Sequence, residues 1–185
     1  RRRNAASASG SGGATMVQLR LKDVDARTMV EVARALLAAL PSNVVLVVND
    51  RADVAIASGA AGVHVGPDDL PPAAIRRIAP PGFVIGASVG TEAEVAAAAD
   101  ADYVGIGPVF STASKHDAGD AIGPARFAQL RALCNRPAVA IGGIDAENAA
   151  SVMAAGAAGI AVIRAVFAAP DPELAARTLR RAMSQ

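Results

Sequence analysis

Seven times along this chain a short, nearly unbroken apolar run ends in a polar or glycine-rich cluster and gives way to an alanine-rich stretch. The runs lie near residues 15–21, 44–49, 62–65, 83–88, 102–107, 137–142 and 159–163. Short apolar runs without polar alternation are what strands covered on both faces require. Alternating with helical stretches, they build a parallel sheet. The helical stretches fall near 26–40, 52–58, 72–79, 91–99, 124–134, 145–155 and 171–183. Pro41 follows the first and Asp171-Pro172 opens the last, while Gly59, Gly82 and Gly156 fall where a helix gives way to the next strand. The pattern predicts an α/β fold of the TIM (β/α)8 barrel type that lacks its first β-strand, the missing unit preceding residue 15. An open doubly wound sheet is the alternative, but it binds ligand at one switch point, whereas polar clusters follow all seven strands here.

The chain has 185 residues, enough for one domain with a sizeable core. Residues 14–185 are expected to form a single β/α barrel domain. Residues 1–13, rich in Arg, Ser, Ala and Gly and without an acidic residue, read as a flexible tail or helix remnant, although the composition also resembles a transit peptide. Apolar residues make up 52% and aromatics only 3%, so the core should be aliphatic and close-packed. A net charge of +1 argues against a nucleic-acid interface, and no apolar run reaches the length of a membrane span. The one cysteine, Cys134, excludes an intrachain disulfide and sits at an expected helix end as a small semi-buried side chain. A cytoplasmic setting is expected.

The clusters carry chemistry. Gln18, Arg20 and Lys22 share one parity at the end of the first strand. Two cations and an amide aimed into a barrel mouth are costly unless they meet an anion. Asn49 and Asp50 end the second strand, and Asp68 and Asp69 follow the third. Adjacent strands lie about 4.8 Å apart, so Asp50 and one of Asp68 or Asp69 can approach closely and call for a cation such as Mg²⁺. Helix capping by Asp50 and Asp69 is the alternative. The segment from Gly107 through Thr112, Ser114 and Lys115 opens the longest loop, a candidate lid, to which His116-Asp117 adds polarity. Gly142-Gly143 and Ile163-Arg164 end the last two strands ahead of helices, where backbone N–H groups suit a second anion. His64, within a strand, is expected to bond structurally rather than act as a base. There is no Ser-His-Asp set. Two anion sites, one metal site and no nucleophile fit a two-substrate transfer with a pyrophosphate leaving group.

The motifs Gln18-Leu-Arg20-Leu-Lys22, Asn49-Asp50-Arg51, Gly62-Val-His64-Val-Gly66-Pro-Asp68-Asp69, Gly86-Ala-Ser88, Gly105-Ile-Gly107-Pro108 through Lys115, Ile141-Gly142-Gly143-Ile144 and Gly159-Ile-Ala161-Val-Ile163 together resemble the thiamine phosphate synthase family over roughly residues 13–183. The resemblance implies a TIM barrel that joins hydroxymethylpyrimidine pyrophosphate to thiazole phosphate, releases pyrophosphate and uses Mg²⁺. It implies that Gln18, Leu19, Arg20, Leu21 and Lys22, with Asn49, Ser88 and Lys115, hold the pyrimidine pyrophosphate. Arg20, Lys22, Ser88 and Lys115 are thereby the catalytic candidates. Asp50 and Asp69 would ligate Mg²⁺. Thr112, Ala113 and Ser114, with backbone N–H groups near Gly143, Ile163 and Arg164, would hold the thiazole phosphate. The implied reaction is dissociative, so it needs charge stabilisation and positioning more than acid–base residues. Pro67 stands where the family usually has Gln, and Arg164 where it usually has Ser. A related thiazole tautomerase, whose better-known members carry a His where Pro108 stands, is the nearest rival, and a non-catalytic phosphate-binding barrel is another. An open barrel would also leave strand edges through which a homo-oligomer could form.

Overall fold

The computed structural model of the protein describes residues 9–112 and 119–184. All seven expected strands are present: β1 (Met16–Leu19), β2 (Val45–Asn49), β3 (Gly62–Val65), β4 (Val84–Val89), β5 (Tyr103–Ile106), β6 (Ala138–Ile141) and β7 (Gly159–Ala161). They form one sheet in strict chain order, every neighbouring pair parallel. That order has no switch point, which rules out the doubly wound alternative. Among the described residues the sheet is a curled barrel wall of seven parallel strands, and β1 and β7 each keep one unpaired edge.

Helices fill the connections: α1 (Ala26–Ala39), α2 (Ala52–Ser58), α3 (Pro72–Ile78), α4 (Glu92–Ala97), α5 (Gly123–Leu133) and α6 (Ala149–Ala154). After β7 come α7 (Arg164–Phe167) and α8 (Pro172–Ala182). Their starts follow local chemistry. Asp25 accepts the Thr28 N–H at the head of α1, Thr91 and Glu94 close a capping box on α4, and Asp171 accepts the Leu174 N–H before Pro172 opens α8. In α1 the buried Met29, Ala33 and Leu36 recur at helical spacing, so one face packs on the sheet. Residues 9–11 form a helical turn, with Ser9 buried. No helix among the described residues is long and apolar enough to cross a membrane.

Several boundaries differ from expectation, among them β7, which stops at Ala161 rather than 163. β1 stops at Leu19, so Arg20 and Lys22 lie just past the strand. The β1–β2 ladder ends at Leu19↔Val48, while the β2–β3 ladder runs on to Asp50, whose N–H bonds the His64 carbonyl. The helix expected from 145 begins at Ala149, because the Asp145 side chain takes the N–H groups of Glu147 and Asn148 and holds a turn there. The short α7 was not expected at all.

Register sorts the side chains into two layers. One row of each strand lies under the helices: Val17, Leu19, Leu46, Val48, Val63, Val65, Ile85, Val104 and Ile106 are all buried. Against them pack Ile75, Phe127 and Leu130, which are inaccessible to solvent. Burying each such side chain is worth about 2–3 kcal/mol. The other row faces the barrel interior. There Gln18 aligns with Val47 and Gly62, Asn49 with His64, Gly86 and Tyr103, and Ser88 with Gly105 and Val139. The polar residues of the sequence motifs therefore converge on the mouth.

Candidate active site

The mouth is charged where β1, β2 and β3 end. Lys22 Nζ lies 3.1 Å from Asp50 Oδ2, an ion pair between residues 28 apart in sequence. Asp50 holds a φ of 64°, a left-handed conformation that Asp tolerates better than most residues and that turns its carboxylate over the mouth. Asp69 Oδ2 accepts the Gly66 N–H at 2.7 Å. Burial pushes the Asp69 carboxyl above its ordinary range and the nearby Asp50 carboxylate adds to the shift, against the pull of the Gly66 N–H and the Lys22 charge. Neither carboxylate caps a helix: Arg51 and Pro71 occupy the cap positions of α2 and α3, without side-chain cap bonds. Asp68 is exposed, so Asp69 is the partner of Asp50. Arg20 Nε is buried with no hydrogen-bond partner among the described residues.

Two adjacent carboxylates offer hard oxygen ligands, the chemistry that suits Mg²⁺. No group of three or more His, Cys, Asp or Glu side chains able to hold a metal occurs among the described residues. The donor set thus fits an ion that completes its shell with water and substrate oxygens, and fits no all-protein cage.

Below the charged rim lies a polar pair that the sequence did not disclose. His64 Nδ1 is 3.0 Å from the Tyr103 hydroxyl, and His64 Nε2 is 3.1 Å from Ser88 Oγ. The expected structural bonding of His64 is present. Tyr103 carried no such expectation. Its signal was the glycine opposite: a Cβ on Gly86 would stand 2.4 Å from the Tyr103 hydroxyl oxygen and 2.5 Å from His64 Nδ1, so only glycine leaves room for the pair. Burial pushes the Tyr103 phenol from 10.0 up to about 12. The chain has one Tyr and no Trp, so an ultraviolet titration reads Tyr103 alone. We expect its midpoint near 12 in the folded protein, with a normal value after denaturation. The unfolded chain then loses this proton first. Stability should be intact below pH ~10 and fall between ~10 and ~12, and Tyr103→Phe should flatten that decline in denaturant titrations. An unshifted midpoint would mean a wet phenol.

Across the mouth, the loop after β5 leans on the turn after β6. Val109 N–H bonds the Ile141 carbonyl and Phe110 N–H bonds that of Gly142. Gly143 has a φ of 63°, and a Cβ there would lie 2.5 Å from the Ser111 carbonyl oxygen. Backbone bonds from Ile122 to Pro108 and from Gly123 to Val109 close the neck of the long loop. Thr112 belongs to this neck, whereas Ala113, Ser114, Lys115 and the His116-Asp117 pair lie outside the described residues. Ile163 is exposed and Arg164 opens α7. The N–H groups of Gly143 and Ile163 find no acceptor among the described residues. Leu19 is buried and Leu21 packs against the core, so these two can offer a ligand only backbone. Asn49 is nearly buried beside His64. Cys134 is half-buried, its thiol pushed up by burial and directed at the Leu130 carbonyl, which fits a packing role.

Comparison with known proteins agrees with this geometry. The family profile described as Thiamine monophosphate synthase matches residues 3–166. The chain is 52% identical over 173 residues to a thiamine-phosphate synthase of Azorhizobium caulinodans, covering 92% of this chain and 82% of that one. It is 50% identical over 175 residues to a namesake from Methanoculleus marisnigri, covering 93% and 83%. Among solved structures, a thiamine phosphate pyrophosphorylase from Pyrococcus furiosus superposes with a TM-score of 0.90 at 37% identity, covering all of this chain and 90% of that one. A phosphoribosyl anthranilate isomerase from Thermus thermophilus, at TM-score 0.74 and 17% identity, shares the fold alone. With the strand order, the paired carboxylates and these relatives in view, the chain belongs to the thiamine monophosphate synthase family.

Proposed function

We infer that this chain is a transferase that joins hydroxymethylpyrimidine pyrophosphate to thiazole phosphate with release of pyrophosphate, the activity of a thiamine phosphate synthase. The observation that carries the site assignment is the juxtaposition of Lys22, Asp50 and Asp69, with Arg20 Nε buried and without a hydrogen-bond partner among the described residues. Cations that outlast their internal partners suit a diphosphate, and the paired carboxylates suit the metal that accompanies it. Gln18, Arg20, Lys22 and Asn49, with Lys115 from the long loop, hold the pyrimidine pyrophosphate, and Ser88 orients its ring end from β4. Thr112, Ser114 and the N–H groups of Gly143 and Ile163 receive the thiazole phosphate on the opposite rim. Arg164, at the head of α7, adds a positive charge there.

Asp50 and Asp69 would hold Mg²⁺, which when bound neutralises charge on the departing pyrophosphate. Lys22 and Arg20 neutralise the rest, so the carbon–oxygen bond breaks without a protein nucleophile. Val47, Val84 and Val139 give the inner face an apolar lining against which the electron-poor pyrimidine would lie until the thiazole nitrogen attacks it. A single free cysteine fits a reducing, cytoplasmic setting.

A pyrophosphate-release assay tests the reading. Release is expected only when both substrates are present. Isomerisation of a thiazole without pyrophosphate would identify a tautomerase, and binding without either reaction a non-catalytic barrel. The metal assignment has its own test. Asp50→Asn should raise the Mg²⁺ concentration for half-maximal turnover by about tenfold or more, because two carboxylates alone already hold Mg²⁺ weakly. Unchanged turnover in EDTA would remove the metal from the mechanism.

A further inference from the structure

Tyr103, His64 and Ser88 form a hydrogen-bonded row across β5, β3 and β4 on the barrel's inner face. The direction of its bonds follows from one group. The Tyr103 hydroxyl lies on a largely buried side chain, and His64 Nδ1 is its sole hydrogen-bond partner among the described residues. A phenol has one proton to give and lone pairs that can stay idle at little cost, whereas a buried O–H without an acceptor loses a full hydrogen bond. Tyr103 therefore donates and Nδ1 accepts. A neutral imidazole that accepts at Nδ1 carries its proton at Nε2, and Nε2 then donates to Ser88 Oγ. With its oxygen occupied as acceptor, the Ser88 hydroxyl must turn its own proton away from His64.

We propose that Tyr103 and His64 are positioning residues that fix the Ser88 hydroxyl as a donor toward the mouth, so that Ser88 recognises a lone-pair acceptor on the pyrimidine substrate. The opposite polarity would leave the Tyr103 proton without an acceptor and present Ser88 lone pairs, which would select a donor such as an exocyclic amine. Gly86 belongs to the device, since a Cβ there would push apart the Tyr103–His64 pair. The acceptor on the substrate is a ring nitrogen or a pyrophosphate oxygen. The proposal deepens the functional reading above and rests on it for the identity of the ligand.

The tautomer can be read on the free, full-length protein. It has two histidines, and a His116→Gln variant assigns the pair in nitrogen-resolved NMR of the imidazole rings. His64 is expected to be neutral with its proton on Nε2, and Tyr103→Phe should shift population to the Nδ1–H form. A wild-type Nδ1–H tautomer overturns the proposal, with no variant or substrate needed. In steady-state assays Tyr103→Phe and Ser88→Ala should each raise KM for the pyrimidine substrate by about tenfold, with a smaller effect on kcat. The double variant should be no worse than Ser88→Ala alone, and full additivity would overturn the coupling. Competition by the pyrimidine alcohol and by inorganic pyrophosphate separates the two acceptors: whichever loses affinity in Tyr103→Phe carries the contact, and loss of neither overturns the proposal. Absence of pyrophosphate release in the wild type would instead refute the functional reading and leave the tautomer result standing.

Discussion

Replacing both Arg20 and Lys22 by Ala should weaken binding of hydroxymethylpyrimidine pyrophosphate by about a thousandfold while changing thiazole phosphate affinity by less than about threefold. Each lost charge-assisted contact is worth on the order of 2 kcal/mol, roughly thirtyfold, and the two add if they reach different oxygens. The single variants should differ in a way that the geometry dictates. Arg20 Nε is buried without a hydrogen-bond partner among the described residues, and such burial carries a desolvation cost. Arg20→Ala should lose affinity with a melting temperature equal to or above that of the parent. Lys22 already pairs with Asp50 and helps hold the Asp69 carboxyl down. Its removal leaves two carboxylates facing each other without a competing ammonium, so Lys22→Ala should lower the Mg²⁺ concentration that fills the metal site even as pyrophosphate affinity falls. Calorimetric titration of both ligands decides the matter. Equal losses for the two ligands would mean one shared anion site rather than two.

The parts of this arrangement that were legible in the sequence are those that local rules control. The inner strands are runs such as Val45–Asn49, covered on both faces, and, bounded by turn residues, a run this short reads as a strand. Asp25, Thr91 and Asp171 announce helix starts because a cap is a contact over three residues. The polar ends of the strands identified the mouth for the same reason, since a side chain past a buried strand must emerge at one rim. Contacts that depend on register were not legible. Tyr103 meets His64 only because Gly86 aligns with both across two ladders, and those residues are 39 apart. Strand spacing alone left Asp68 and Asp69 open and the family resemblance pointed to Asp69, whose carboxylate accepts the Gly66 N–H. Four-residue α7 has no cap or periodicity to betray it, and the Asp145 turn displaced a helix start that composition alone would place earlier.

Placing a β-strand and helix ahead of residue 9, so that a strand pairs with both β1 and β7, should raise the melting temperature by roughly 5–10 °C and raise turnover with it. The open edges show why. β7 has no buried residue, and β1 alternates exposed and buried positions, whereas β3 buries three residues of four. Met16 and Ile163, both more than a third exposed, flank the opening. A strand inserted there satisfies unpaired N–H and C=O groups on both neighbours and covers the apolar row that β7 now shows to solvent. A gain of about 3 kcal/mol in a domain of this size corresponds to the stated shift. Activity should follow because the same two strands carry both anion sites: Gln18, Arg20 and Lys22 lie at the end of β1, and Ile163 and Arg164 at the end of β7. Closing the wall fixes the distance between them, and a transfer that depends on positioning is sensitive to shifts of about 1 Å. Thermal melts and pyrophosphate-release assays on the two forms, with sedimentation to read association through the open edges, test the linkage. If the present chain is monomeric, unfolds cooperatively and turns over as fast as the extended form, seven strands hold the rim in place unaided and the coupling of closure to catalysis is wrong.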